Sequence, residues 1–165
     1  MPASFEPIAS VTLSAATASV TFSSIPQTFT DLVLTGAVGS TSTTADRSMR
    51  LQFNGDTTSS LYSDTTVYGE ASAASFRRSS QTQTTVLEAI AKSGNFTAYT
   101  INIMNYANTT TNKTVLARSA GTVIVSANTG LWRNTAAINS ITITPNADTF
   151  ASTSTFSIYG IRAGA

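Results

Sequence analysis

The chain has 165 residues, 41% of them hydrophobic, which is enough to bury a core of one ordinary domain and excludes a disordered composition. Charged residues make up only 10% and the formal net charge is +1, so no long-range field draws nucleic acid or an anionic membrane. Zero cysteines and zero histidines exclude a disulfide scaffold, the Ser-His-Asp triad and most zinc sites together.

Ser and Thr fill the space left by charge, supplying about a third of the positions. Thr is β-branched and suits strands, whereas Ser competes for backbone hydrogen bonds and suits turns. The opening segment MPASFEPIAS has neither a basic nor an apolar signal region, and its Pro2 and Pro7 bar a regular central strand. Residues 1–7 are therefore expected to form an extended arm on a single domain spanning 1–165.

From there the dominant period is two. Strands are expected at IASVTL (8–13), SVTF (19–22), DLVLTGAV (31–38), MRLQFN (49–54) and TTVLEAI (84–90). They continue at FTAYTINIM (96–104), TVLARS (114–119), TVIVSA (122–127), INSITIT (138–144) and TFSIYGI (155–161). In FTAYTINIM, Phe96 does not share the parity of Tyr99, Ile101 and Ile103, which predicts a bulge or twist near Tyr99. VLEAIAKSGN (86–95) could be read as a helix with Glu88 and Lys92 four apart, but the preceding Thr84-Thr85 favours a strand.

Between these runs lie turn signals: Pro26, Asn54-Gly55 within FNGDTTSSLYSD (53–64), GSTSTTADR (39–47), NTTTN (108–112) and Pro145. About ten short strands so punctuated predict an all-β fold, an antiparallel two-layer sandwich or barrel with a jelly-roll-like two-sheet sandwich favoured.

Few residues carry chemistry. Lys92 and Lys113 are the only lysines that could serve a serine nucleophile, and both read as solvated surface groups. Asp46, Asp56 and Asp64 fall in neighbouring loops without the spacing of a calcium loop. No cofactor, metal or catalytic residue is expected. Asn95, Asn108 and Asn112 each begin a glycosylation-type triplet and read as ordinary loop residues.

The candidates for contact are instead aromatic, amide and guanidinium groups. Trp132 is expected to pack while its neighbour Arg133 faces the surface, and Tyr106 to stand partly exposed in a turn shaped by Asn105 and Asn108. Adjacent Arg77 and Arg78 read as loop or interface groups, not a nucleic-acid track.

Six phrases taken in order carry a resemblance: FEPIASVTL (5–13), SVTFSSIPQTFTDLVL (19–34), LQFNGDTTSSLYSDTTVYG (51–69), INIMNYANTTTNKTVLARS (101–119), GLWRNTAAINSITITP (130–145) and STFSIYGIRA (154–163). Together the chain resembles small structural proteins encoded by tailed bacteriophages, with GLWRNTAAINSI and FSIYGIRA the most specific parts. That resemblance implies a β-sandwich component of the virion, made in the host cytoplasm, without a catalytic motif. Its partners would be the major capsid protein or other virion proteins, in a homotrimer, with no nucleic acid and no membrane.

Two roles follow: a capsid decoration (cement) protein, or a tail-fibre or tail-tip module binding a host glycan or other receptor. A chain that opens on Met1 and reads as one short domain favours decoration. The glycan role predicts an exposed aromatic platform drawn from Tyr62, Tyr68, Tyr106 or Trp132.

Overall fold

A computed structural model describes residues 5–162, which form twelve strands and, among those residues, no helix. The strands are β1 (Phe5–Thr12), β2 (Val20–Phe22), β3 (Asp31–Val38), β4 (Arg47–Phe53), β5 (Tyr62–Gly69) and β6 (Ala73–Gln81). They continue as β7 (Thr84–Ile90), β8 (Thr97–Met104), β9 (Lys113–Ala120), β10 (Val125–Trp132), β11 (Ile141–Pro145) and β12 (Thr155–Ile161). An eight-stranded sheet runs β1-β12-β3-β8-β9-β10-β5-β6, and a four-stranded sheet runs β2-β11-β4-β7. Every ladder is antiparallel, as a sandwich built from hairpins and long returns requires.

The period of two does what it predicts. In β8, Thr97, Tyr99, Ile101 and Ile103 are buried while Ala98 and Met104 are exposed. In β9, Lys113, Val115, Ala117 and Ser119 face in, and Leu116, Arg118 and Ala120 face out. The expected bulge near Tyr99 is absent: β8 pairs without interruption to β3 and β9. Phe96 precedes the strand and is 40% exposed, so it never belonged to the alternation. The bulges lie elsewhere, in the β1–β12, β4–β7 and β5–β6 ladders.

Where the helix and strand readings of residues 86–95 competed, the strand prevails. β7 is buried at every position but Glu88, which erases the alternation. It packs across the large sheet on β10, β9 and β5. The approach is so close at Gly130 that a Cβ there would stand 2.2 Å from Thr84 Oγ1.

The core between the sheets is built by Leu32, Leu34, Met49, Leu51, Phe53, Ile101, Ile141, Phe156 and their neighbours. At the Asn54-Gly55 turn both residues adopt positive φ (53° and 66°), the conformation this dipeptide favours. Asn54 Oδ1 then accepts from the backbone of Asn139 and Ser140, and its amide donates to Ala137 O. Residues 5–7 of the expected arm belong instead to β1, an edge strand paired Phe5↔Ile161 and Pro7↔Tyr159, with a register shift after Pro7. An edge strand tolerates a proline that a central one would not. Residues 1–4 of that arm lie outside the described residues.

Candidate functional site

The six residues singled out from sequence do not converge on one site. Trp132 is 1% exposed, packed on Phe53 and Tyr62 with ring centroids 5.5 and 6.1 Å away. Its Nε1 donates to Asp56 (3.0 Å). Desolvation pulls the Asp56 carboxyl up, yet hydrogen bonds from Thr58, Trp132 and Asn134 outweigh it and hold the group below its ordinary value. Arg133 turns outward as expected, but its guanidinium donates to Ser60 O (3.3 Å) and Ser63 Oγ (3.0 Å).

Tyr106 is fully buried, not partly exposed; its hydroxyl donates to Pro26 O. The NTTTN loop closes over the same end of the sandwich. Asn108 Oδ1 accepts from the backbone N–H of Thr110 (2.7 Å) and Thr111 (2.9 Å), an Asx turn. Beneath it lies Lys113, which is buried and not solvated: its Nζ donates to the carbonyls of Asn108, Thr111 and Thr135 at 2.7–2.9 Å. The loop therefore wraps an ammonium, and its polar residues are fastened from within.

Arg77 and Arg78 lie in β6, not in a loop. Arg78 faces inward, bound to Asp64 (2.8 Å) and Glu88 (3.1 Å), with its guanidinium 4.6 Å from the Phe76 ring centroid. Burial raises the Glu88 carboxyl, with Arg78 opposing. Next to this cluster a buried polar chain links Ser119, Ser126, Asn128 and Thr66 by hydroxyl and amide hydrogen bonds of 2.7–3.1 Å.

The three aspartates weighed for calcium are used separately. Asp46 accepts from Lys92 N–H, Asp56 from Trp132, and Asp64 from Arg78 and Thr85 N–H. Among the described residues no three acidic side chains gather as a metal site.

A different feature stands on the outer face of the eight-stranded sheet. Register places Ala37, Ala98, Ala120, Val125, Gly69 and Ala73 side by side across β3-β8-β9-β10-β5-β6. The next row is Thr35, Thr100, Arg118, Ala127, Val67 and Ser75, and the third is Val33, Asn102, Leu116, Thr129, Thr65 and Arg77. The low first row and its rim form an open trough of about 820 Å³ lined mainly by apolar atoms of β8, β9, β10 and β5. On this face Val67 and Val125, which line the trough, are 57 and 61% exposed, and Leu116 of the third row is 47% exposed.

Sequence reasoning missed this face. The signal for it was apolar residues on both parities of neighbouring strands, Ile103-Met104 in β8 and Val115-Leu116 in β9, followed by Val125 at the start of β10. A half-buried strand needs only one apolar parity, so the second is surplus to the core.

No family model matches the chain, and no curated protein matches it. Among solved structures, a marine alginate lyase from Aplysia kurodai is 8% identical over 82% of this chain and 72% of its own, with a TM-score of 0.26. A protein of unknown function from Shewanella oneidensis MR-1 is 11% identical over 98% of this chain and 78% of its own, with a TM-score of 0.22.

Proposed function

We propose that this protein is a non-enzymatic structural component of a tailed-phage virion, a capsid decoration protein that docks on the head shell through the outer face of its eight-stranded sheet. The observation that carries the docking role is that face itself. It holds Val67, Leu116 and Val125 in solvent around a broad trough, while the loops where a sandwich ordinarily meets small ligands are fastened internally by Lys113, Asn54 and Asp56. The carboxylates other than Glu70 are likewise engaged by partners within the fold, which supports binding over hydrolysis. The virion setting rests on the sequence resemblance.

The physical role follows from rigidity. A sandwich of locked loops has little conformational entropy left to lose on docking, so the ordering cost of binding is small and more of the apolar burial survives as affinity than for a flexible partner. As a trimer on a local threefold axis of the shell, three such faces would bind through effective concentration. Of the aromatic platform that a glycan-binding role calls for, Tyr62, Tyr106 and Trp132 are buried and Tyr68 is half-buried, which favours decoration over glycan binding.

The test is to label the protein in intact particles and count its copies against the major capsid protein. Many copies spread over the head are expected. A few copies on the tail would move the protein to a fibre or tip role, and none in the particle would sink the virion reading.

A further inference from the structure

We infer that the occupant of the trough is an acidic, apolar-flanked segment of a partner protein, whose carboxylate pairs with Arg118. This rests on the docking reading above and specifies its chemistry. The three outer rows that frame the trough contain two arginines, Arg118 and Arg77, and no carboxylate. Arg118 stands centrally, on β9 between Thr100 of β8 and Ala127 of β10, and is exposed. No ion pair or hydrogen bond holds it among the described residues, whereas Arg47, Arg78 and Arg162 are each bound to a carboxylate.

A second copy of the chain is a poor occupant. Two of these faces packed row on row would bring four guanidiniums together with no acid in the three rows of either copy, Glu70 lying beyond the first row, one residue past Gly69. A partner with a carboxylate set among apolar side chains satisfies Val67, Val125 and Leu116 by burial and Arg118 by a charge-assisted, bidentate contact. Six strands spaced about 4.8 Å apart make the trough roughly 24 Å long, the reach of about seven extended residues.

The experiment begins with sedimentation of the protein alone. A random library of segments about ten residues long is then selected on the wild-type protein, with counter-selection on Arg118→Glu and Val125→Asp proteins. Selected segments are expected to combine Asp or Glu with Val, Ile, Leu or Phe, and to bind more weakly as salt rises. Arg118→Ala should weaken the best segment about tenfold, Arg118→Lys less, and Val125→Asp should abolish binding while the melting temperature of each variant stays near wild type. Segments without acid enrichment, or affinity unchanged by Arg118→Ala, would overturn the inference. So would a dimer in sedimentation that Val125→Asp dissolves, since the occupant would then be a second copy.

The outcome is separable from particle labelling. Acid-rich segments selected by a protein absent from virions would keep the surface chemistry and discard the virion role. Abundant copies on heads with binding indifferent to Arg118 would do the reverse.

Discussion

Lys113 shows how far a single residue can depart from its ordinary place. A lysine is almost never fully buried without a partner, and here its partners are three main-chain carbonyls and no anion. Burial lowers its pKa, yet the charge is what ties residues 108–111 to Thr135. Lys113→Met keeps the stem and removes the donors, leaving three carbonyls to find water. It should cost about 2–3 kcal/mol, read by urea unfolding, and amide exchange should quicken first at residues 108–112. A loss spread evenly over the domain, with the loop still protected, would mean that the Asx turn of Asn108 is sufficient by itself. From sequence Lys113 looked like any surface lysine, because its burial depends on which carbonyls a loop folds over it. Trp132 was legible for the opposite reason: a large apolar ring has few alternatives to packing.

At the scale of elements, the β5–β6 hairpin went unread. Its inward positions carry Asp64, Thr66 and Arg78, and β6 is mostly exposed, so neither strand shows an apolar alternation. Strands whose inward residues are apolar, such as β3, β8 and β12, could be read within a residue of their ends. What replaces apolar packing between β5, β6 and β7 is the Arg78 cluster, and its two acids are not equivalent. Asp64 is buried, with both oxygens used, by Arg78 and by Thr85 N–H. Asp64→Asn should therefore destabilise by about 3 kcal/mol, whereas Glu88→Gln should stay within about 1 kcal/mol of wild type at neutral pH.

The pH dependence carries a sign. Burial raises Glu88 above its unfolded value of 4.5, so the folded chain binds its proton more tightly and stability from this group is fully present below that value. It is lost as pH rises through the folded pKa. Wild type should lose stability relative to Glu88→Gln from about pH 4.5 upward, measured by paired denaturant curves. The opposite trend would mean that the Arg78 attraction outweighs burial.

For the whole molecule, the two ends of the chain close the large sheet. β12 lies between β1 and β3, so the last strand joins the first to the body of the fold, and the ladder pairs Phe5 with Ile161. Such pairings are distant in sequence, and folding should be correspondingly slow, milliseconds to seconds by the trend for all-β domains. The two terminal strands then differ in what their loss would do. Deleting β12 would separate β1 from β3 and remove Phe156 and Ile158, both fully buried members of the core, so the domain should not fold.

Among the described residues, deletion through Pro7 removes only the end of an edge strand. It takes away the Phe5 ring, 5.6 Å from Tyr159, and the Glu6 partner of Arg162, but no residue of the core cluster. The expected loss is about 1–2 kcal/mol, or roughly 3–6 °C in melting temperature. Aggregation should rise as well, because the end of β12 becomes a free edge without the proline and bulge that guard β1. Calorimetry and light scattering on the truncated chain check both parts. Unchanged melting with reduced occupancy on particles would restore residues 1–7 as a docking arm; a lower melting temperature with full occupancy would fix residues 5–7 as part of the sheet and leave docking to its outer face.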